Sequence, residues 1–176
     1  MNGHTSNWPR WLHCAALLGG TCFIAYLFAN VEVQIEGSAG WAVNLPTWRI
    51  ERHWLLDLLF GGRAMTGYHA WMLPTVAAFF HLPLLMSGRW SWRLEARALA
   101  CMCIFWIAED VLWFICNPAF GWAKLNPIDV PWHKHWFLGL PSDYWLFSSV
   151  STALLVWSFR SPRCATLRSS VPPSPV

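Results

Sequence analysis

ALACMCIFWIAEDVLWFIC, at residues 98–116, is the stretch that decides the fold. At a helical rise of 1.5 Å per residue, a segment of this length is enough to cross the roughly 30 Å hydrocarbon core of a bilayer. Asn117 and Pro118 follow directly, and proline disfavours a helical conformation in the residue before it. The segment therefore predicts a transmembrane helix that ends at residue 116.

Three further apolar segments predict transmembrane helices at residues 11–31, 68–86 and 144–159. Pro74 and Pro83 interrupt the second of these, which a membrane helix tolerates because neighbouring groups satisfy the freed carbonyls. The sequence thus predicts an all-α integral membrane protein, with one domain of four transmembrane helices at residues 1–160. Residues 161–176 are rich in Ser, Pro and Arg and predict a disordered cytoplasmic tail.

The composition supports a membrane protein. Charged residues make up 12% of the chain, about half of the usual fraction in soluble domains. The 15 tryptophans are suited to the two interfaces of a bilayer, where indole rings are favoured. The basic residues do not form a run with interleaved aromatics, so we expect no nucleic-acid partner. The expected partners are the lipid bilayer and either another membrane protein or a second copy of this chain.

The distribution of arginine predicts the orientation. Arg89, Arg93 and Arg97 crowd the short connection between the second and third apolar segments, while the connections on the opposite side are long. Because Lys and Arg are enriched in short cytoplasmic loops, this connection and both termini are expected in the cytoplasm. We take the location to be the cell membrane, with the bacterial inner membrane as the assumed compartment of this multi-pass protein.

The first outer loop, at residues 32–67, carries a helical pattern of its own. Helical spacing recurs in this loop at Trp48, Glu51, Trp54, Leu55, Leu58 and Leu59, with Arg49, Arg52, His53 and Asp57 on the other face, and Gly61-Gly62 would end the helix. Such a pattern is typical of an amphipathic helix that lies on a membrane interface. We therefore expect an interfacial helix in this loop.

The strongest chemical anomaly is the pair Glu109 and Asp110 inside the third apolar segment. A charged side chain at the centre of a membrane helix costs about 2.5–3.5 kcal/mol on insertion scales, so such residues commonly have a function. We interpret the pair as candidate catalytic residues, either a general base, a proton carrier or metal ligands. The alternative is a structural pair that ties down the outer loops through Trp N–H groups, Arg63 or Lys124.

A second anomaly is His133-Lys134-His135 between two tryptophans in the last outer loop. In an extended chain these imidazoles would face the same side and could address one ion, although interfacial anchoring is the simpler interpretation. The whole candidate metal set on the outer side is His69, Glu109, Asp110, His133, His135 and Asp143. Three histidines with carboxylates suit a divalent transition metal such as Zn or Fe.

These residues leave several function classes open. We expect a small accessory or cofactor-binding subunit of a membrane complex, with a polar site at the outer face. The first alternative is an outward-facing metal-dependent membrane enzyme that uses the His and carboxylate ligands. The second is a proton-coupled carrier, which only Glu109-Asp110 favours and which four helices without a visible repeat make less attractive.

Overall fold

A computed structural model of the protein describes residues 9–160, so the tail predicted at residues 161–176 lies outside the described residues. Its helices are α1 (Arg10–Glu36), α2 (Trp54–Leu59), α3 (Gly67–Ser87), α4 (Trp92–Cys116) and α5 (Ser142–Phe159), with a 3-10 turn at Trp122–Lys124. Two short antiparallel strand pairs lie in the connections: β1 (Arg49–Ile50) with β2 (Met65–Thr66), and β3 (Trp136–Phe137) with β4 (Leu140–Pro141).

The long helices confirm a mostly helical chain and are compatible with a multi-pass membrane protein. In the described range, α1, α3 and α4 are long and apolar enough to span a membrane. They cover the predicted spans at 11–31, 68–86 and 98–116 and extend beyond all three, by only one residue at each end for the second. A fourth helix, α5, lies at the predicted fourth span, but it has 18 residues and carries several serines. Its passage through the bilayer therefore remains a prediction.

Helix α4 is the centre of the bundle. It packs extensively along α1 on one side and α5 on the other, and less extensively against α3. On α1, the buried face is built from Thr21, Ala25 and Ala29 at intervals of four residues. Small side chains at helical spacing allow two membrane helices to approach closely, which is why α1 can lie against the large side chains of α4.

The ends of α1 and α4 meet the beginnings of α3 and α5 at one end of the bundle, called the loop end below. Asn117, which ends α4, donates a hydrogen bond of 2.7 Å to the carbonyl oxygen of Gly37, just after α1. The side chain of Thr66 accepts a hydrogen bond from the backbone N–H of His69 and caps the start of α3. The chain has two long connections, residues 37–66 between α1 and α3 and residues 117–141 between α4 and α5. These contacts bring the two connections together at the loop end.

The first connection differs from the predicted amphipathic helix. Residues 49–50 are extended and pair with residues 65–66, and only Trp54–Leu59 is helical. His53 begins this short helix, its ring nitrogen accepting from the N–H of Leu55 at 3.3 Å. The strand pairing satisfies backbone groups that a longer helix would otherwise have bonded internally, which accounts for the shorter helix. Its position at a membrane interface remains a prediction.

Exposed tryptophans mark both ends of the bundle. Trp11, Trp90 and Trp92 are exposed at the end opposite the loop end, and Trp54 and Trp71 are exposed at the loop end. Because indole rings favour the two interfaces of a bilayer, this distribution fits helices that cross the membrane between the two sets.

A turn at the loop end provides a test of local packing. Gly40 has φ +68°, and a Cβ there would lie 2.7 Å from an atom of the Trp132 ring. We expect Gly40→Ala to destabilise the protein by about 1–3 kcal/mol, because it adds a clash to a left-handed backbone conformation. Thermal unfolding in detergent would measure the loss.

Gly88 is the control, since it lies in the left-handed region at φ +60° and a Cβ there would meet no atom within 4 Å. Gly88→Ala carries only the backbone cost and should destabilise less than Gly40→Ala. Equal losses for the two variants would contradict a role for the contact with Trp132.

Candidate functional site

A cavity of about 290 Å³ lies near the loop end, among α1, α3, α4 and α5. One part of its wall is polar: Glu32, Glu36, Arg63, His69, Glu109, Asp110, Asp143 and Tyr144. The other part, which follows the helices away from the loop end, is apolar: Met72, Leu73, Met102, Cys103, Trp106, Ile107 and Phe147. A pocket with this division fits a molecule that has one polar end and one apolar end.

Arg63 is the central cation of the polar wall. It follows Gly61 and Gly62, whose positive φ values of 57° and 79° turn the chain into the bundle after α2. Its guanidinium group donates a hydrogen bond to the carboxylate of Asp143, and the same nitrogen lies 3.6 Å from Oδ2 of Asp110. Arg63 is 8% exposed, so these charges compensate one another away from water.

The imidazole of His133 contacts this charged cluster on the side that faces away from the cavity. A guanidinium nitrogen of Arg63 lies 2.8 Å from its Nδ1. Because arginine can only donate, Nδ1 must accept, and the hydrogen of a neutral ring is then on Nε2. That Nε2 lies 3.1 Å from Oδ2 of Asp110 without the geometry of a hydrogen bond. His133 is 3% exposed and supports the cluster without lining the cavity.

Asp110 receives a further hydrogen bond from the first turn of α5. The hydroxyl group of Tyr144 donates to Oδ2 of Asp110 at 2.8 Å. Asp143, the preceding residue, is in the first turn of the same helix, where the helix dipole favours a negative charge. The cluster therefore joins α4, α5 and both long connections through one set of charged groups.

A second set of carboxyl groups lies on α1 and α4. The hydroxyl group of Tyr68 donates to Oε1 of Glu32 at 2.8 Å, and the Glu32 carboxyl group interacts directly with that of Glu109. Glu36, one helical turn after Glu32, accepts a hydrogen bond of 2.6 Å from the backbone N–H of Ala42. Glu109 is 4% exposed, and its Oε1 atom has no hydrogen-bond partner among the described residues.

Trp41 covers the polar wall. Its ring stacks on that of His69, with 3.9 Å between centroids, and the guanidinium carbon of Arg63 lies 4.8 Å from its centroid. Its indole N–H donates to the carbonyl oxygen of Ala64 at 2.7 Å. Trp41 and Ala42 both have positive φ, and Arg49 donates to their two carbonyl oxygens. Arg49 and Glu36 thus hold a strained turn that keeps the indole in place.

The structure brings together most of the predicted site residues. Asp110, His133 and Asp143 contact Arg63, whereas Glu109 and His69 line the same cavity through other contacts. The sixth, His135, is exposed and lies in an irregular segment between the turn at residues 131–132 and the strand that begins at Trp136. Within residues 9–160, no group of three or more His, Cys, Asp or Glu side chains is arranged to hold a metal ion.

The alternative interpretation of Glu109-Asp110, a tie to the outer loops through Arg63, agrees with the contact between Asp110 and Arg63. Lys124, the other basic residue considered for it, donates instead to the carbonyl oxygen of Ala119 at 2.6 Å. A bound Zn or Fe ion remains a prediction. The place between Asp110 and Asp143 that a metal ion would fill holds the guanidinium group of Arg63.

Several residues of the cavity were not predicted from the sequence. Glu32, Glu36 and Tyr144 contribute polar groups to it, Trp41 covers it, and Tyr68 donates to Glu32 from outside the lining. The signal for Glu32 and Glu36 is their interval of four residues directly after an apolar segment, which places two carboxyl groups on one helix face. No protein-family model, curated protein or solved structure matches this chain.

Proposed function

We propose that this protein is a membrane-embedded binding subunit for an amphipathic, lipid-like molecule. The observation that carries the proposal is the cavity, with charged groups at the loop end and an apolar wall that follows the helices. Its volume of about 290 Å³ is at the lower end of the range for small-molecule sites. It suits a head group and the first part of an apolar tail.

The helix packing supports entry from the lipid. Helices α3 and α5 both pack against α4 but make few or no contacts with each other. Both contribute apolar side chains to the cavity, Met72 and Leu73 from α3 and Phe147 from α5. A tail that leaves the cavity between these two helices would lie directly among lipid chains.

In this proposal α5 is the fourth transmembrane helix, and both termini lie in the cytoplasm of a bacterial cell. The loop end then faces outward, which puts the head group at the outer side of the inner membrane. The exposed indoles Trp54 and Trp71 near the loop end are suited to lipid headgroups or to the helices of a partner protein. The partner is a larger membrane complex that receives the bound molecule as a cofactor.

The other functions expected from the sequence stay as predictions. A metal-dependent enzyme requires an ion at the carboxylate and imidazole groups, and metal analysis of the purified protein would test it. A proton-coupled carrier requires a path across the membrane, whereas the polar lining of the cavity is confined to the loop end.

A bulky side chain in the cavity should abolish binding. Leu73 lines the cavity from α3, and replacing it with tryptophan fills space that the ligand needs. We expect Leu73→Trp to reduce the occupancy of co-purifying lipid-like molecules at least about tenfold, which corresponds to about 1.4 kcal/mol of binding free energy. Native mass spectrometry of the detergent-purified protein would measure the bound fraction.

Leu85→Trp is the matched control on the same helix, since Leu85 is 75% exposed and lies away from the cavity. This variant should retain wild-type occupancy. The proposal fails if the wild-type protein carries nothing above the background of a washed control, or if both variants lose the ligand equally.

A further inference from the structure

Carboxyl groups outnumber cations in the wall of the cavity. Five line it: Glu32, Glu36, Glu109, Asp110 and Asp143. The only arginine or lysine of the described chain that lines it is Arg63. The polar end of the cavity is thus an acceptor-rich environment, in which a negatively charged head group would meet several carboxyl oxygens and a single guanidinium group.

The protein itself already satisfies four of these carboxyl groups. Asp110 and Asp143 contact Arg63, and Asp110 also accepts from Tyr144. Glu36 accepts from the N–H of Ala42. Glu32 accepts from the hydroxyl group of Tyr68. These groups are fixed in place, so they set the electrostatic character of the cavity without requiring a ligand.

Glu109 is the exception. It is 4% exposed, lines the cavity, and lies against the carboxyl group of Glu32, yet its Oε1 atom has no hydrogen-bond partner among residues 9–160. A buried polar atom without a partner is costly, and native proteins rarely keep one without a reason. A hydrogen-bond donor on the bound molecule would remove this cost.

Aromatic rings make up much of the remaining wall near Glu109. Trp41, Trp106, Trp113 and Trp132 all line the cavity. The face of an indole ring attracts a cation and is the strongest of the protein side chains in this respect. An ammonium group would therefore find both carboxyl oxygens and the faces of indole rings around it. An anion would find two kinds of donor, the guanidinium group of Arg63, which already contacts two carboxylates, and the indole N–H of Trp113, which has no hydrogen-bond partner among residues 9–160.

We propose that the head group of the bound molecule is a positively charged amine, which Glu109 recognises by accepting a hydrogen bond inside the tryptophan-lined end of the cavity. This inference rests on the proposed binding of an amphipathic molecule and adds its chemical class. The role assigned to Glu109 is that of a ligand-binding residue, and Arg63 with its carboxylate partners forms the neighbouring wall.

Three probes with the same apolar chain test which head group the cavity prefers. They are dodecylamine, which is positively charged at neutral pH, 1-dodecanol, which is neutral, and dodecanoate, which is negatively charged. Each would be titrated into the detergent-purified full chain, with binding followed by native mass spectrometry. We expect the wild-type protein to bind dodecylamine at least about tenfold more tightly than either other probe, because a charge-assisted hydrogen bond is about twice as strong as a neutral one. In Glu109→Gln this preference should fall to within about threefold, since the amide keeps the shape but not the charge.

Glu51→Gln is the control for loss of a carboxylate, because Glu51 is exposed and lies outside the cavity. It should keep the full preference for the amine. Equal binding of all three probes, or the tightest binding by dodecanoate, would overturn the amine assignment and leave the binding function intact. A wild-type protein that binds none of the probes would contradict both the amine assignment and the proposed binding function. An unchanged preference in Glu109→Gln would overturn the role of Glu109.

Discussion

Replacing Arg63 with leucine should destabilise the protein by about 3–5 kcal/mol, the usual cost of removing one partner from a buried charge cluster. Arg63 is 8% exposed and contacts Asp110, Asp143 and His133 at once. Its removal leaves two carboxylates facing each other across a cavity that has no other arginine or lysine in the described range. The loop end should therefore open at lower temperature than the rest of the bundle.

Thermal unfolding in detergent, combined with limited proteolysis of the connections, would measure this effect. Arg52→Leu is the control, because Arg52 is exposed in the same connection and should tolerate the change. A second variant tests the contribution of charge. Arg63→Met together with Asp110→Asn and Asp143→Asn removes all three charges and should recover part of the loss, because no unpaired carboxylate is left buried. If Arg63→Leu is as stable as Arg52→Leu, the charged cluster does not hold the loop end together.

Phe114→Ala should also cost about 3–5 kcal/mol, because it removes a fully buried ring from a closely packed aromatic cluster. Phe114 is fully buried near the end of α4. Its ring contacts those of Trp113, Phe120 and Trp132, with centroid distances of 5.1–6.4 Å. These contacts join the long connection after α4 to the helix that carries Asp110.

Ile115→Ala is the adjacent control. Ile115 is 54% exposed, so losing its side chain should change the unfolding temperature little. The same thermal unfolding assay compares the two variants. A loss in Ile115→Ala that equals the loss in Phe114→Ala would show that the aromatic cluster contributes no more than a lipid-facing side chain.

The sequence predicted the helices well because apolar length is a local property. Residues 98–116 identify α4 by their composition and by the Asn-Pro that follows, and the helix does end at Cys116. The structure of residues 48–59 was harder to predict. Their helical spacing corresponds to a helix only at Trp54–Leu59, because residues 49–50 pair as a strand with residues 65–66. That pairing depends on where α3 begins, which no local pattern gives.

The candidate site was predicted only in part, for a similar reason. Glu109 and Asp110 are anomalous by themselves, since acids are rare in membrane helices. Their partners come from other elements: Arg63 from the first connection and Tyr144 from α5. Which residues meet across helices depends on the close approach of α4 to its neighbours, and a helical period alone does not contain that information. His135, two residues after His133, is exposed, and the sequence pattern alone does not show which of the two imidazoles is buried.

If the bundle spans the membrane, as proposed, the exposed tryptophans at its two ends would fix its depth relative to the two bilayer interfaces. Helix α3 has 21 residues, a length of about 31 Å that matches the usual hydrocarbon core. In a thinner bilayer the protein would have to tilt its helices to keep both sets of indoles at the interfaces. Among the long helices that flank α4, α3 is packed least extensively and would tilt most easily. In the proposed function, membrane thickness would then affect the space between α3 and α5 through which the apolar tail leaves.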